Sequence, residues 1–292
     1  LSCPDRFMDT QDIRQYFTVR QKQYDRLVVH TIMLAVFMSS FLKRYYGGKY
    51  ILDIRDECSL YGIMKLRLPV LLKYSFCNVI SSWGFKTWLP EAEYVISHNI
   101  GFRWKEKMNM PAPDSFFHHQ PLDILTIGQI RHFDGNRVLI DELGNRGNMK
   151  MHFAGDGVDV PRLVEYCKEK KINNVAFSGR YLKENEDDIV STSDFVNILL
   201  PQTRVQQAMA NRFYLAILNY KPVIVNAESI QAEYVRKYGL GIVWELGTSL
   251  KNAIEDYIAR FDIEQFLDGR RKLCETLMKD VMQFNKMLND IL

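Results

Sequence analysis

Five short segments of this chain carry side chains that could bind or move charge, and each follows an apolar, β-rich run. They are Gly128–Arg131, Gly155–Gly157, Gly179–Tyr181, Leu200–Thr203 and Asn226–Ser229. In an open parallel sheet, ligands bind beyond the carboxyl ends of the strands. Glycine directly after a strand permits a tight turn and lets a ligand approach backbone N–H groups. Gly128, Gly155 and Gly179 hold that place in three successive units, and a nucleotide is the guest they suit. A guanidinium at a strand end can clamp a diphosphate through two parallel hydrogen bonds. That is the expected role of Arg131, weighed against a plain surface pairing with Asp134. Arg180 and Tyr181 follow Gly179 in the same way. Asn211 and Arg212 would meet phosphate or ribose if a helix begins near Ala210, and would otherwise form an ordinary polar face.

A second set of polar residues lies in the first third. Asp53, Arg55 and Asp56 end one β-rich run, and His98 and Asn99 end another. His30 also closes a strand, where a histidine is more often a satisfied structural residue than cleft apparatus. Asp156 and Asp159 superficially resemble a metal-binding pair. Their spacing is wrong for a DxD motif, and aspartates before a helix usually cap it. No metal and no cofactor are expected.

The elements that must position these residues alternate. Strands are expected at Arg26–Val29, Tyr50–Asp53, Asn78–Ser81 and Glu93–Ser97, with helices between them. Met110-Pro111-Ala112-Pro113-Asp114 combines prolines with turn chemistry and reads as a linker. The alternation then restarts with strands at Leu122–Ile127, Met149–Ala154, Asn174–Ser178, Phe195–Leu199, Pro222–Val225 and Ile242–Trp244. One helix is expected over Gln206–Asn219, and Leu250–Leu292 reads as helical in two or three pieces. Repeated βαβ units imply α/β architecture with parallel sheets covered on both faces. Three parts are expected: residues 1–112, residues 113–265 and a C-terminal helical part over 266–292.

Bulk properties narrow the class. The chain has 292 residues, 47% hydrophobic and 25% charged, enough for two packed domains. A net charge of +3, with no basic recognition helix or stacking platform, argues against nucleic acid. Residues 1–115 hold 16 Lys and Arg against 11 Asp and Glu, and the remainder holds 22 against 24. A basic first part fits a phosphate-bearing or membrane-surface partner, set against an ordinary solvated surface. Five cysteines without zinc spacing read as reduced thiols in a cytoplasmic protein. The longest apolar run, Leu27–Leu42, is too short and too interrupted to span a bilayer. The absence of GxGxxG argues against a dehydrogenase.

Met151–Gly157, Asn174–Tyr181, Ser193–Phe195 and Asn211–Val225, in this order and spacing, resemble the donor domain of GT-B glycosyltransferases of the family 4 type. Tyr50–Asp56 resembles that family's DxRD-type strand end, and Ile80–Phe85 with Tyr94–Asn99 resembles the strands closing its acceptor domain. The resemblance covers about residues 26–245. It implies two Rossmann-like domains facing across a cleft, residues 1–112 on the acceptor side and 113–265 binding the nucleotide sugar, with 266–292 as a helix packing back on the first, and transfer of a hexose-type sugar from a nucleoside diphosphate to a hydroxyl. The configuration would be retained without a catalytic metal. It casts Asp53, Arg55, Asp56 and His98 in the catalytic, acceptor-side part. Gly128, Arg131, Gly155, Gly179, Arg180, Tyr181, Asn211 and Arg212 would hold the donor. The acceptor would be a glycan or a lipid-linked glycan in surface polysaccharide synthesis, with peripheral association at the inner membrane face. The chain departs from the family in three ways. The E-x7-E pair is absent, Leu215 standing seven before Pro222. Arg131 takes the place of the usual lysine. The opening strand and glycine loop have no counterpart, as fits an incomplete N-terminus beginning at Leu1. A sugar-nucleotide epimerase and a catalytically silent scaffold of the same fold are the alternatives.

Overall fold

The computed structural model describes residues 24–56, 58, 62–100, 104–117 and 119–291; Cys3 and the start of the chain lie outside them. The chain forms two units, one running to His98 and joined by the chain from Lys279, the other being Asn99–Met278. The break thus falls before the proline-rich stretch at 110–114. The reason is local hydrogen bonding. Arg270 donates to the carbonyls of Lys107 (2.9 Å) and Met108 (3.5 Å), and the Tyr220 hydroxyl donates to Met110 O. These bonds fasten the segment around the prolines to the second unit.

In the first unit, β1 (Leu27–His30), β2 (Tyr50–Ile54), β3 (Cys77–Ile80) and β4 (Val95–Ile96) form a parallel sheet in sequential order. Helices α1 (Ile32–Phe37) and α2 (Ser39–Tyr46) connect β1 to β2, and α3 (Ile63–Tyr74) connects β2 to β3. Crossovers between parallel strands are right-handed, so sequential order places all three helices on one face of the sheet. There α3 packs against α1 and α2. The Tyr50 hydroxyl donates to Leu71 O and ties β2 to α3, while burial pushes its pKa up. On the other face, Ile51 and Val79 pack against Phe284, Met287 and Leu288.

In the second unit, the parallel sheet contains β5 (Leu122–Ile127), β6 (Met149–Ala154), β7 (Val175–Gly179), β8 (Phe195–Ile198), β9 (Val223–Asn226) and β10 (Gly241–Trp244). The order β10-β9-β8-β5-β6-β7 is the doubly wound arrangement, with its reversal point between β5 and β8. The inner strands β8 and β9 are wholly buried and read as continuous runs, FVNI and VIVN. The edge strand β7 alternates in burial. That contrast is what two-sided cover of a parallel sheet requires.

The helices of this unit are α4 (Trp104–Met108), α5 (Phe133–Leu143), α6 (Val160–Glu169), α7 (Glu186–Ser191), α8 (Asn211–Leu218), α9 (Ile230–Tyr238) and α10 (Leu250–Ala259). Ser229 caps α9 by accepting from Ala232 N, and Gly239 ends it at φ 67°. The single helix expected over Gln206–Asn219 is instead a 3-10 turn, Arg204–Gln207, followed by extended residues and then α8. Tertiary contacts override the local pattern: Gln231 Nε2 donates to Ala208 O (2.7 Å), and Met209 is buried. The last stretch is two helices, α10 and α11 (Ile263–Ile291), with α11 continuing from the second unit into the first.

Arg270, 4% exposed, organises one side of the second unit. It donates to Ile217 O (2.8 Å) and Leu218 O (3.2 Å) at the end of α8, and its guanidinium lies 3.6 Å over the Tyr220 ring. Carbonyls at a helix C-terminus lack intrahelical partners and carry partial negative charge. A buried cation is thereby satisfied without a carboxylate. Among the described residues, no helix is long and apolar enough to cross a membrane.

Candidate functional site

The loops at the carboxyl edge of the second sheet are stacked backbone on backbone. Gly128 N–H donates to Ala154 O (3.0 Å), Ile130 N–H to Asp156 O (3.0 Å), and Gly155 N–H to Gly179 O (2.8 Å). A Cβ on Gly155 would lie 1.8 Å from Gly128 O, and one on Gly157 would lie 2.0 Å from Ile130 O. Those two glycines are therefore fixed by contact between neighbouring loops. The expectation that glycine N–H groups meet a ligand is thus not met at Gly128 and Gly155, whose N–H groups are taken by the ends of the neighbouring strands, Ala154 O and Gly179 O. Gly128 (φ 103°) and Gly179 (φ 73°) have open space where a Cβ would stand. They leave the surface above the sheet unobstructed.

Arg131 and His132 follow at the reversal point, immediately before α5. His132 adopts the left-handed conformation (φ 66°), and Asn136 Nδ2 donates to Arg131 O at 2.8 Å. Asp159 accepts from Phe133 N (3.2 Å), so it caps α5 and not α6, the helix that follows it in sequence. Asp134 engages Arg137 (3.9 Å), and no carboxylate engages Arg131 among the described residues. The pKa of His132 is lowered by burial first, then by the charges of Arg131 and Arg212. The two arginines and a His132 biased towards its neutral form thus share one neighbourhood, where Asp159 acts in the opposite sense, although 81 positions separate the arginines in sequence.

Helix α8 begins at Asn211, with Ala210 as its extended N-cap and no side-chain cap. This is the start on which the expected role of Asn211 and Arg212 depended. Arg212 is half-buried, and desolvation draws its pKa down to about 10. Among the described residues it has no carboxylate partner. A helix N-terminus already carries partial positive charge, so an unpaired, partly desolvated guanidinium there is doubly unfavourable until an anion arrives.

The remaining donor-side residues are otherwise engaged. Arg180 forms an ion pair with Asp156 (2.8 Å), and that hydrogen bond lowers the carboxyl pKa. The Tyr181 hydroxyl donates to Glu186 (3.0 Å), and its ring packs against the core. Lys221 is buried and donates to Ser191 O (2.8 Å) and Ser193 O (2.6 Å), at the opposite, amino edge of the sheet. Leu215 also packs against the core.

In the first unit, a polar network joins the carboxyl ends of the strands. Register places His30 opposite Asp53. His30 Nδ1 lies 2.9 Å from Asp53 Oδ2, with side chains 65% and 5% exposed. Arg55 Nε donates to Asp53 Oδ2 (3.0 Å), and its guanidinium donates to Ser97 O (2.9 Å) and Ser97 Oγ (3.0 Å). The nearby Asp53 Oδ1, 2.8 Å from the same Nε, is not aligned to accept. Ser81 Oγ donates to Arg55 O (3.0 Å). Thr31 follows His30 at φ 72°, a conformation costly for a β-branched residue. Asp53 and Arg55 thus stand together, and Asp56 is exposed nearby. His98 does not join them: its imidazole, 1% exposed, holds Asp280 of α11 at 2.8 Å. The place of His30 at the end of β1, beside a strand ending in Asp53, is what brings the two side chains together. Among the described residues, no group of three or more His, Cys, Asp or Glu side chains is placed to hold a metal ion.

No family model matches the chain, and no curated protein matches it in sequence. Solved structures do match. Anabaena Alr3699/HepE in complex with UDP has a TM-score of 0.69 at 14% identity, over 96% of this chain and 82% of that chain. A glycosyltransferase from Rickettsia africae gives 0.69 at 14% identity, over 99% and 84%. WaaG, a glycosyltransferase involved in lipopolysaccharide biosynthesis, gives 0.60 at 15% identity, over 94% and 84%. The likeness is one of fold: the chain has the two-domain GT-B glycosyltransferase architecture, with two parallel α/β sheets and a C-terminal helix.

Proposed function

We propose that this chain is a glycosyltransferase that moves a hexose-type sugar from a nucleoside diphosphate sugar to a hydroxyl. The observation that carries the proposal is the pair Arg131 and Arg212 beside His132 at the reversal point of a doubly wound sheet, neither arginine having a carboxylate partner among the described residues. In transfer, the acceptor oxygen bonds to the anomeric carbon as the bond to the diphosphate oxygen breaks, and the acceptor hydroxyl's proton passes to the departing diphosphate oxygen. The leaving diphosphate gains charge, and Arg131, Arg212 and the first turn of α8 supply preorganised cations and N–H groups for it. Asn211 stands beside them for the ribose, where the family's glutamates are lacking. On the acceptor side, Asp53, Arg55, Asp56 and His30 supply the polar groups. HepE has been solved with UDP and with UDP-glucose, which makes UDP-glucose the first donor to try. A glycan or lipid-linked acceptor, retention of configuration, independence from metal and peripheral membrane association belong to the same reading.

The test is thermal melting of the purified chain with UDP, UDP-glucose, GDP, ADP and CMP, with and without EDTA. A ligand that binds only the native state raises the melting temperature by mass action. A shift with one nucleoside diphosphate, unchanged by EDTA, supports the donor site. No shift with any nucleotide removes it. The apolar Leu215 favours a second reading, a nucleotide-binding protein that does not turn over. It predicts the shift without any release of UDP from UDP-glucose when candidate acceptors are added.

A further inference from the structure

A groove of about 850 Å³ lies within the first unit, at the amino ends of β3 and β4. It is thus on the opposite edge of the sheet from Asp53 and Arg55. Its walls are the last turns of α3, the 3-10 turn Trp83–Thr87, the chain entering β4 and Gln283 of α11. Asn78, 7% exposed, holds two of these walls together. Its Nδ2 donates to Leu72 O (3.2 Å) and Glu93 O (3.3 Å), and its Oδ1 accepts from Ser75 Oγ (2.8 Å). The groove is therefore formed before any ligand arrives. Four exposed charged side chains line it: Lys73, Lys86, Glu91 and Glu93. Opposite charges in one groove can pair, yet among the described residues none of these four forms an ion pair. Lys86 instead lies 4.4 Å over the Trp83 ring. Phe76, 38% exposed, lines the same groove, and its N–H is fixed on Tyr50 O at 2.8 Å.

We infer that this groove binds a neutral glycan, at a subsite separate from the reacting hydroxyl. Each sugar hydroxyl both donates and accepts, so a row of hydroxyls meets two ammonium groups and two carboxylates that leave one another unpaired. Hydrogen bonds with an ionised partner are the strong ones. Phe76 offers an aromatic surface to the C–H face of a pyranose. Other ligand classes lack this match. Two lysines are offset by two glutamates, and the C-terminal carbonyls of α3 add partial negative charge, so a phosphate-rich ligand gains little. Sites for apolar small molecules are lined mostly by hydrophobic side chains with few polar groups, whereas this groove carries four charges and the amides of Asn78 and Gln283. On the reading proposed above, a glycan tethered here keeps its free end at high local concentration near the acceptor-side residues of the same unit. Binding itself goes beyond that reading, because it needs neither nucleotide nor turnover.

The full chain is screened without nucleotide on an array of neutral oligosaccharides, and the strongest binder is titrated by calorimetry. Binding is expected, and Glu91→Ala/Glu93→Ala should weaken it about tenfold or more. Phe76→Ala should weaken it about threefold or more. All three positions are exposed, and unchanged melting temperatures will show that the variants fold. Glu165→Ala/Glu169→Ala, the same charge change on exposed residues of α6, should leave binding intact. Cys77 gives a second readout, since it lines the groove and is partly exposed. The bound glycan should slow its alkylation by iodoacetamide, read by peptide mass, and leave Cys58, outside the groove, unchanged. The inference is overturned by no binding on the array, by a bound glycan that does not protect Cys77, or by equal loss in the control variant. It is also overturned if UDP protects Cys77 and no glycan does. A nucleotide-induced melting shift without glycan binding would sink this inference and leave the donor site standing.

Discussion

Replacing Arg212 by Met should have two opposite effects, and together they separate a ligand-binding arginine from a structural one. The guanidinium is half-buried at the first turn of α8, and desolvation draws its pKa down from the usual arginine range to about 10. For a cation, a lowered folded-state value means that the charged form is disfavoured in the fold. The penalty is present at every pH below about 10. At 1.36 kcal/mol per unit, the shift corresponds to about 3 kcal/mol. Partial contact with water reduces this to about 1–2 kcal/mol. Methionine keeps the apolar stem and removes the charge. The nucleotide-free variant should therefore melt a few degrees higher than the parent. Binding should move the other way. Hydrogen bonds to charged groups contribute about 1.5–3 kcal/mol, so the dissociation constant for UDP should rise roughly 10- to 150-fold. The assay is thermal melting with and without nucleotide, followed by calorimetric titration. A variant destabilised by more than about 1 kcal/mol that still binds UDP like the parent would refute the reasoning. It would place Arg212 among the structural residues, beside Arg270.

Other outcomes follow from the same geometry. Gly155→Ala should destabilise the second unit by at least about 3 kcal/mol in chemical denaturation, because the new Cβ would fall 1.8 Å from Gly128 O; a neutral result would mean that the stacked loops are not rigid. Asp53→Asn should cost about 1–3 kcal/mol by leaving Arg55 without its buried carboxylate. It should also release the preference for a proton on His30 Nδ1, which nitrogen-detected NMR reads directly. The pKa of His132 is lowered from 6.5 by burial and by Arg131 and Arg212. A bound diphosphate offsets those charges and raises it, so UDP-glucose should bind more tightly as pH falls through that region, with proton uptake. Calorimetry in buffers of different ionisation enthalpy measures the uptake, and its absence would place His132 away from the ligand.

The sequence by itself determined the alternation of elements. The ten strands among the described residues can be read from apolar, β-branched runs, most plainly the inner ones, FVNI and VIVN, since strands buried on both faces leave no room for polar alternation. It also located the carboxyl ends of those strands and hence the segments that could meet a ligand. It did not locate the start of α8, because Gln206–Asn219 is helical in pattern and only Gln231 and the burial of Met209 break it. Nor could it divide the polar residues by task. Arg131, Arg180 and Arg212 look alike in sequence, yet Arg180 is held by Asp156 while the other two, beside His132, have no carboxylate partner among the described residues. Likewise Asp53 and His98 each end a first-unit segment, but one meets His30 and Arg55 and the other is buried against Asp280, 182 residues away. Periodicity is a local property and survives in one dimension. Whether a charge is paired depends on which strand ends lie side by side, and strand order and helix packing decide that.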